Sequence, residues 1–350
     1  MRIVVDVMGG DQGCGVVVDG VKLALQSYPD ISELHLVGRQ PEIEAALRRA
    51  RCRDPRLQLH HASEVVVMED KPIEAVRKKK DCSMVRAVEL VRDGKAEAVI
   101  SPGNTGALVA AATLRLRRLE SVERAPLAAI MPSAKGEFLL IDVGANPECK
   151  PIHLVQFALM GSIYSRELLH HRKPRVGLLS NGTEETKGNE LTRETARLLR
   201  QTHLNFIGYV EGYDLFADRV EIVVTDGFTG NIVLKSTESL SKTILRAVRR
   251  ELAANPMRQL GAALARGAFQ KIKRRLDPDA YGGAPLLGLN GVVIKAHGGA
   301  REKAIMNAIR VATETIQNKI NETIVREVAQ ANQNLGLAKT AVHAPASAVA

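Results

Sequence analysis

Residues 97–106 read E-A-V-I-S-P-G-N-T-G. A short apolar run stops at Pro102, Gly103 and Asn104, and a helix-compatible run over 105–118 follows. This is a buried strand, a glycine-rich turn and a helix start. One such unit is punctuation, but five more strands end in the same way. Strand 2–7 leads into Met8-Gly9-Gly10-Asp11, and strand 138–143 into Gly144-Ala145-Asn146. Strand 175–180 enters a loop that carries Lys187 between Thr186 and Gly188. Strand 220–225 leads into Asp226-Gly227-Phe228-Thr229-Gly230-Asn231, and strand 291–295 into Ala296-His297-Gly298-Gly299. In an open parallel sheet, ligands sit beyond the carboxyl ends of the strands. Glycine lets backbone N–H groups approach a ligand, and a helix start adds free donors and a positive dipole end. Six such turns read as one cleft for an anion or an oxyanion.

Outward from these turns, further strands are expected at 33–38, 57–61, 127–131 and 204–210. Helices are expected at 15–27, 41–51, 83–93, 105–118, 153–170, 188–201, 230–254, 257–275 and 300–334. Alternation of this kind gives an α/β layer fold, a parallel sheet with helices on both faces. The 350 residues are 45% hydrophobic and 25% charged, with only 3% aromatic and no Trp. That composition excludes disordered, collagen-like and disulfide-knot classes. The four scattered cysteines form no C-x-x-C, and no run approaches the ~20 apolar residues of a membrane span. The reading is a cytoplasmic chain with reduced thiols, one catalytic α/β domain in two lobes over 1–335, and a disordered tail over 336–350.

The net charge of +10 is local: residues 242–275 hold ten Lys and Arg against Glu251 alone. Met257, Leu260, Leu264, Ala268, Ile272 and Leu276 recur at helical spacing within the basic region 242–280. A basic helix with an apolar stripe suits a lipid interface, and Met257, Leu260, Leu264, Phe269 and Ile272 are the expected contacts. A core-packed helix with a solvated basic face remains the alternative. With Phe269 as the only stacking side chain there, single-stranded nucleic acid is disfavoured. Pro256 breaks the region into a helical hairpin inserted between strands 220–225 and 291–295.

The turns match no G-x-x-x-x-G-K-[ST], H-E-x-x-H or G-x-S-x-G motif. No resident metal or cofactor is expected, and no protein nucleophile stands out. That suits a reaction whose nucleophile is a substrate such as inorganic phosphate.

Long segments then carry a resemblance. D-V-M-G-G-D, S-P-G-N-T-G-A-L, D-V-G-A-N, L-L-S-N-G-x-E-x-x-K-G-N-E, D-G-F-T-G-N-I-V-L-K, Y-G-G-A-P-L-L-G and V-I-K-A-H-G are similar, in order, to the bacterial PlsX family of phosphate acyltransferases. The resemblance spans residues 1 to about 310. It implies transfer of a fatty acyl group from acyl-ACP to orthophosphate, giving acyl phosphate and free ACP early in phospholipid synthesis. It implies a Rossmann-like α/β/α sandwich similar to phosphotransacetylase and the isocitrate/isopropylmalate dehydrogenases. It further implies a homodimer, peripheral attachment to the inner face of the plasma membrane through the hairpin, and a downstream membrane glycerol-3-phosphate acyltransferase as partner. Gln12, Cys14 and Gly15 depart from the aromatic and Pro that members often carry there.

For this chemistry Lys187, Asn231 and His297 are the expected catalytic residues. Asp11, Gly103, Asn104, Thr105, Gly106, Asn146, Asp226, Gly230 and Lys295 are the expected substrate-binding set. Asn104, Asn231 and Asp226 have a second reading as helix caps or Asx turns. Lys187 has one as a solvated lysine, and His297 one as a packed histidine. A short-acyl CoA phosphotransacetylase and a non-enzymatic basic binding module remain the competing functions.

Overall fold

The computed structural model describes residues 1–275 and 280–336. The first half comprises β1 (Arg2–Asp6), α1 (Gly13–Ser27), β2 (Glu33–Gly38), α2 (Gln40–Ala50), β3 (Leu57–His61), α3 (Pro72–Lys78), α4 (Ser83–Arg92), β4 (Ala98–Ser101) and α5 (Thr105–Leu116). Next come β5 (Ala128–Pro132), β6 (Glu137–Ile141), α6 (Pro151–Glu167), β7 (Arg175–Leu179), α7 (Glu190–Leu199), β8 (Asn205–Val210) and β9 (Ile222–Val224). The chain continues through α8 (Gly227–Ala253), α9 (Pro256–Leu264), α10 (Arg266–Arg275), β10 (Ala284–Pro285), β11 (Val292–Lys295), α11 (Glu302–Gln317) and α12 (Ile320–Asn334).

Every expected strand forms, most with an end moved by one or two residues. The strands make two sheets, in the orders β10-β11-β4-β1-β2-β3 and β5-β6-β9-β7-β8. Ile3, Val4 and Val5 of β1 are wholly buried on both faces, which explains their unbroken apolar run. Helices α1 and α11 cover one face of the first sheet and α4 and α5 the other. Helices α6, α7 and α12 cover the second sheet. One apolar core runs from Val4 and Val99 of the first sheet to Phe138 and Val223 of the second.

Two strands depart from an all-parallel arrangement. β5 pairs antiparallel with β6, and the unforeseen β10 pairs antiparallel with β11. These two meet at the seam between the sheets, through an isolated antiparallel bridge from Leu127 to Leu286. The Leu287 amide also donates to the Pro126 carbonyl at 3.0 Å. Two expected helices are divided. Lys319, at φ +51°, ends α11 and starts α12, and Ala265 separates α9 from α10. Helix α3 was not anticipated, because its seven residues are too few to show a period.

The hairpin insertion is present. Asn255 caps α9 by accepting from the Arg258 amide at 2.9 Å, with Pro256 at the first helical position. Among the described residues, no helix is long and apolar enough to cross a membrane. The expected tail beyond Gly336 and the end of the basic region at 276–279 lie outside the described residues.

Candidate active site

The loops after β1, β4 and β11 close on one another. A Cβ on Gly9 would lie 2.6 Å from the Gly103 Cα, so the first two loops touch backbone to backbone and admit only glycine. The Asp11 amide donates to the Gly298 carbonyl at 2.8 Å and ties in the third. Beneath them Asp6 is fully buried, and burial pushes its carboxyl above the usual carboxylate range. It accepts from the Ser101 hydroxyl at 2.7 Å, which in turn accepts from the Gly103 amide at 3.1 Å. This relay fixes the glycine loop at the start of α5.

The second sheet supplies the opposing wall. Asp142 is buried and accepts from the amides of Leu127, Gly144, Ala145 and Asn146 and from the Asn146 side chain. Desolvation still holds its carboxyl above the ordinary value. Helix α8 is laid directly on this loop: a Cβ on Gly230 would sit 1.9 Å from the Asp142 carbonyl oxygen. Asp226 caps α8, accepting from the Thr229 amide at 2.9 Å and hydroxyl at 2.8 Å.

Between the two walls lies a cavity of about 690 Å³. Asp11, Gly103, Thr105, Gly106, Asn231, Lys295 and His297 line it, all of them singled out in the sequence. Lys295 is buried, 8% exposed, and burial, helped by the charge of Lys235, brings its ammonium down to about 8. Its amine donates to the Pro102 and Ala296 carbonyls, leaving one of its three donors for a ligand. The Gly299 amide donates to His297 Nδ1 at 3.0 Å, so the neutral ring carries its proton on Nε2. Burial first, then Lys235, Lys295 and Lys242, hold that imidazole below 6.5 against the opposing Glu238.

Five expected site residues have other places. Lys187 is exposed on its loop and does not line the cavity, because β7 lies two strands from β6 and its loop opens to solvent. Asn146 is a buried brace that donates to the Ala125 carbonyl and to Asp142. Asn104 caps α5, accepting from the Ala107 amide at 3.0 Å and donating to the Met68 carbonyl at 3.1 Å. Asp226 is the α8 cap described above, and Gly230 acts through its missing side chain. Cys14 is buried and desolvation pushes its thiol up to about 11, which opposes a reactive thiolate there.

Sequence reasoning missed Lys235, Glu238, Ser241 and Lys242 of α8, which line the cavity with Leu234 and Leu245. Lys235 donates to Glu238 at 2.9 Å. Positions 231, 234, 238, 241 and 245 form one helical stripe. The stripe mixes polar and apolar residues, so no hydrophobic period reveals it. A helical wheel anchored on Asn231 would have found it. The other wall of the cavity is apolar, from Leu127, Ala129 and Met131 on and beside β5. Beyond the cleft, Met257 and Leu264 are each 83% exposed and Leu260 63% at the hairpin tip, while Phe269 is turned inward and half-buried. Among the described residues no group of three or more His, Cys, Asp or Glu is placed to hold a metal.

A sequence profile for the family described as fatty acid synthesis protein matches residues 1–323. A phosphate acyltransferase of Geobacter sulfurreducens is 44% identical over 328 residues, 94% of each chain. Another, of Citrifermentans bemidjiense, is 47% identical over 321 residues, 92% of this chain and 91% of the other. Among solved structures, a phosphotransacetylase from Streptococcus pyogenes superposes with TM-score 0.57 at 16% identity, covering 95% of this chain and 94% of that one. A branched-chain phosphotransacylase from Enterococcus faecalis gives 0.56 at 15% identity, covering 90% and 100%. The architecture is thus the α/β fold that phosphotransacetylases share.

Proposed function

Because this chain belongs to the PlsX family of phosphate acyltransferases, and is an acyltransferase, we propose that it moves a long-chain acyl group from acyl-ACP to orthophosphate. The observation that carries this reading is the buried Lys295 with a donor to spare, facing the α8 stripe in a cleft whose other wall is apolar. Phosphate is drawn by Lys295, Lys235 and the start of α5. A phosphate oxygen attacks the thioester carbonyl, the new C–O bond forms, and the C–S bond then breaks to release the carrier thiolate. The oxyanion of the tetrahedral intermediate takes hydrogen bonds from the Asn231 amide and from His297 Nε2–H. A donor in that role is worth about a hundred- to a thousandfold in rate. Neutral His297 suits it, since a charged imidazolium would compete for the phosphate. Asp11 orients Lys295, and the amides of Thr105 and Gly106 complete the phosphate cradle, which Gly103 leaves open by its missing side chain.

Acyl phosphate would feed a membrane glycerol-3-phosphate acyltransferase in phospholipid synthesis, and the hairpin supports a peripheral place at the inner membrane face. Its basic face is worth about 1 kcal/mol per Lys or Arg near an anionic surface, and Met257, Leu260 and Leu264 add apolar insertion. A homodimer fits the outward side of α8, where Phe228, Ile232, Leu240 and Ile244 stand exposed.

The test is mass-spectrometric detection of palmitoyl phosphate from purified protein, palmitoyl-ACP and phosphate, with Asn231→Ala as control. Phosphate-dependent product that falls about a hundredfold in the variant supports the assignment. Folded wild-type protein that yields none, but acts on acetyl- or butyryl-CoA, would move the reading to a short-acyl phosphotransacetylase.

A further inference from the structure

The cleft does not end at Leu245. A second cavity, of about 820 Å³, begins where the first stops, and Lys242 and Leu245 line both. Its floor is Leu245, Val248 and Leu252 of α8, and its far side Ala262, Phe269 and Ile272 of α9 and α10. The stems of Arg246, Arg249 and Arg266 edge it, as long basic side chains cover apolar surface while their heads stay wet. Helix α9 packs against α8, while α10 is held at its end by Arg275, which donates to the Ser133 carbonyl at 2.6 Å. The hairpin therefore returns to the end of β5, beside the apolar wall of the first cavity.

We propose that this groove receives the distal carbons of the substrate's acyl chain, making Leu245 the residue that sets chain-length preference. This rests on the acyl-transfer reading above. The reasoning is one of length. Asn231 and Lys242 are eleven residues apart on one helix, about 17 Å at 1.5 Å per residue. A zigzag of ~1.5 Å C–C bonds advances ~1.3 Å per carbon, so about thirteen carbons span that distance. Shorter chains end within the first cavity. A sixteen-carbon chain passes Lys242 by about three carbons and reaches the Leu245 neck, fourteen residues and about 21 Å from Asn231. Each methylene so buried changes affinity about fourfold. The half-buried Phe269 and Ala262 face this groove, whereas Met257 and Leu264 face away from it.

The experiment compares kcat/KM for palmitoyl-ACP and octanoyl-ACP in the full chain and in Leu245→Trp, with Leu245→Phe as a milder block and thermal unfolding as the folding control. The palmitoyl-to-octanoyl ratio should fall at least tenfold in the Trp variant and by an intermediate factor in the Phe variant. In parallel, fluorescence of cis-parinaric acid, an eighteen-carbon acyl probe, should show at least tenfold weaker binding to Leu245→Trp. An unchanged ratio and unchanged probe affinity would overturn the inference. So would a changed oligomeric state with the ratio unmoved, since a second copy would then fill the groove. If wild-type protein makes no acyl phosphate from either donor, yet binds the probe in a Leu245-dependent way, the groove stands and the acyl-transfer reading falls.

Discussion

Replacing Lys295 by Met should make the protein more stable and less active, and both effects can be sized. Burial lowers this ammonium from the ordinary 10.5 to about 8. At 1.36 kcal/mol per pH unit, holding it charged at pH 7 costs the fold about 3 kcal/mol. Methionine fills similar volume without charge, but it leaves the Pro102 and Ala296 carbonyls without their donor. Two lost hydrogen bonds return about 1–2 kcal/mol of that gain. The net expectation is about 1–2 kcal/mol of stabilisation at pH 7, a rise of a few degrees in Tm. The sign with pH follows from proton counts. Between pH 8 and 10.5 the unfolded chain binds more protons at this site than the native one, so wild-type stability rises with pH there. The advantage of the variant should therefore shrink across that window. Phosphate should raise the Tm of wild-type protein and leave that of Lys295→Met unmoved, and kcat/KM for phosphate should drop about a hundredfold, as loss of a buried charged donor does. Differential scanning calorimetry from pH 7 to 10, with and without phosphate, decides the matter. A variant less stable at pH 7, with a gap constant in pH, would refute the claim that the fold bears an uncompensated cation there. Retained protection by phosphate would refute its role in binding.

Other perturbations are simpler. Gly230→Ala places a methyl 1.9 Å from the Asp142 carbonyl and should cost about 4 kcal/mol or more, read as lost expression or a much lower denaturant midpoint. Lys187→Ala should leave kcat/KM for phosphate within about threefold, because the side chain lies outside the cleft; a tenfold loss in steady-state assays would mean that the loop reaches a cleft, its own or a second copy's. Met257→Asp with Leu264→Asp should reduce flotation with anionic vesicles at least tenfold while Tm stays within a degree or two, since both side chains are almost fully exposed. Because His297 is held below 6.5, the acid limb of the activity profile should lie beneath that value, while the alkaline limb follows Lys295 near 8; an acid limb centred above 6.5 would contradict the neutral-donor role.

Much of this architecture is written in local patterns. β4 and β11 are fully buried runs, as is β1 beyond Arg2, and the turns behind them are glycine-rich because their backbones touch, so strands and cleft can both be read from composition. The antiparallel pairs β5–β6 and β10–β11 could not be read so, because direction is a property of distant partners and β10 is only two residues long. The same limit applies to the site. Asn104 and Asp226 have the sequence look of either a ligand group or a cap, and only the Ala107 and Thr229 amides show that they cap. Lys187 carries a suggestive glycine-rich setting, but lateral strand order decides whether a loop reaches the cleft. Lys235 was hidden for the opposite reason: it lies four residues beyond Asn231 on a helix face that mixes polar and apolar residues, so no hydrophobic period reveals it.

The seam between the sheets has a mechanical consequence. The Leu127–Leu286 bridge and the Leu287 amide are slender joints, yet the cleft draws one wall from each side of them. The gape of the cleft is therefore governed by the angle at this joint more than by any single loop. An anion held between Lys295 on one side and Asn231 on the other acts as a strut, converting part of its binding free energy into stiffness. Amide exchange in β5 and β10 then becomes an occupancy gauge, slowing together when the strut is in place.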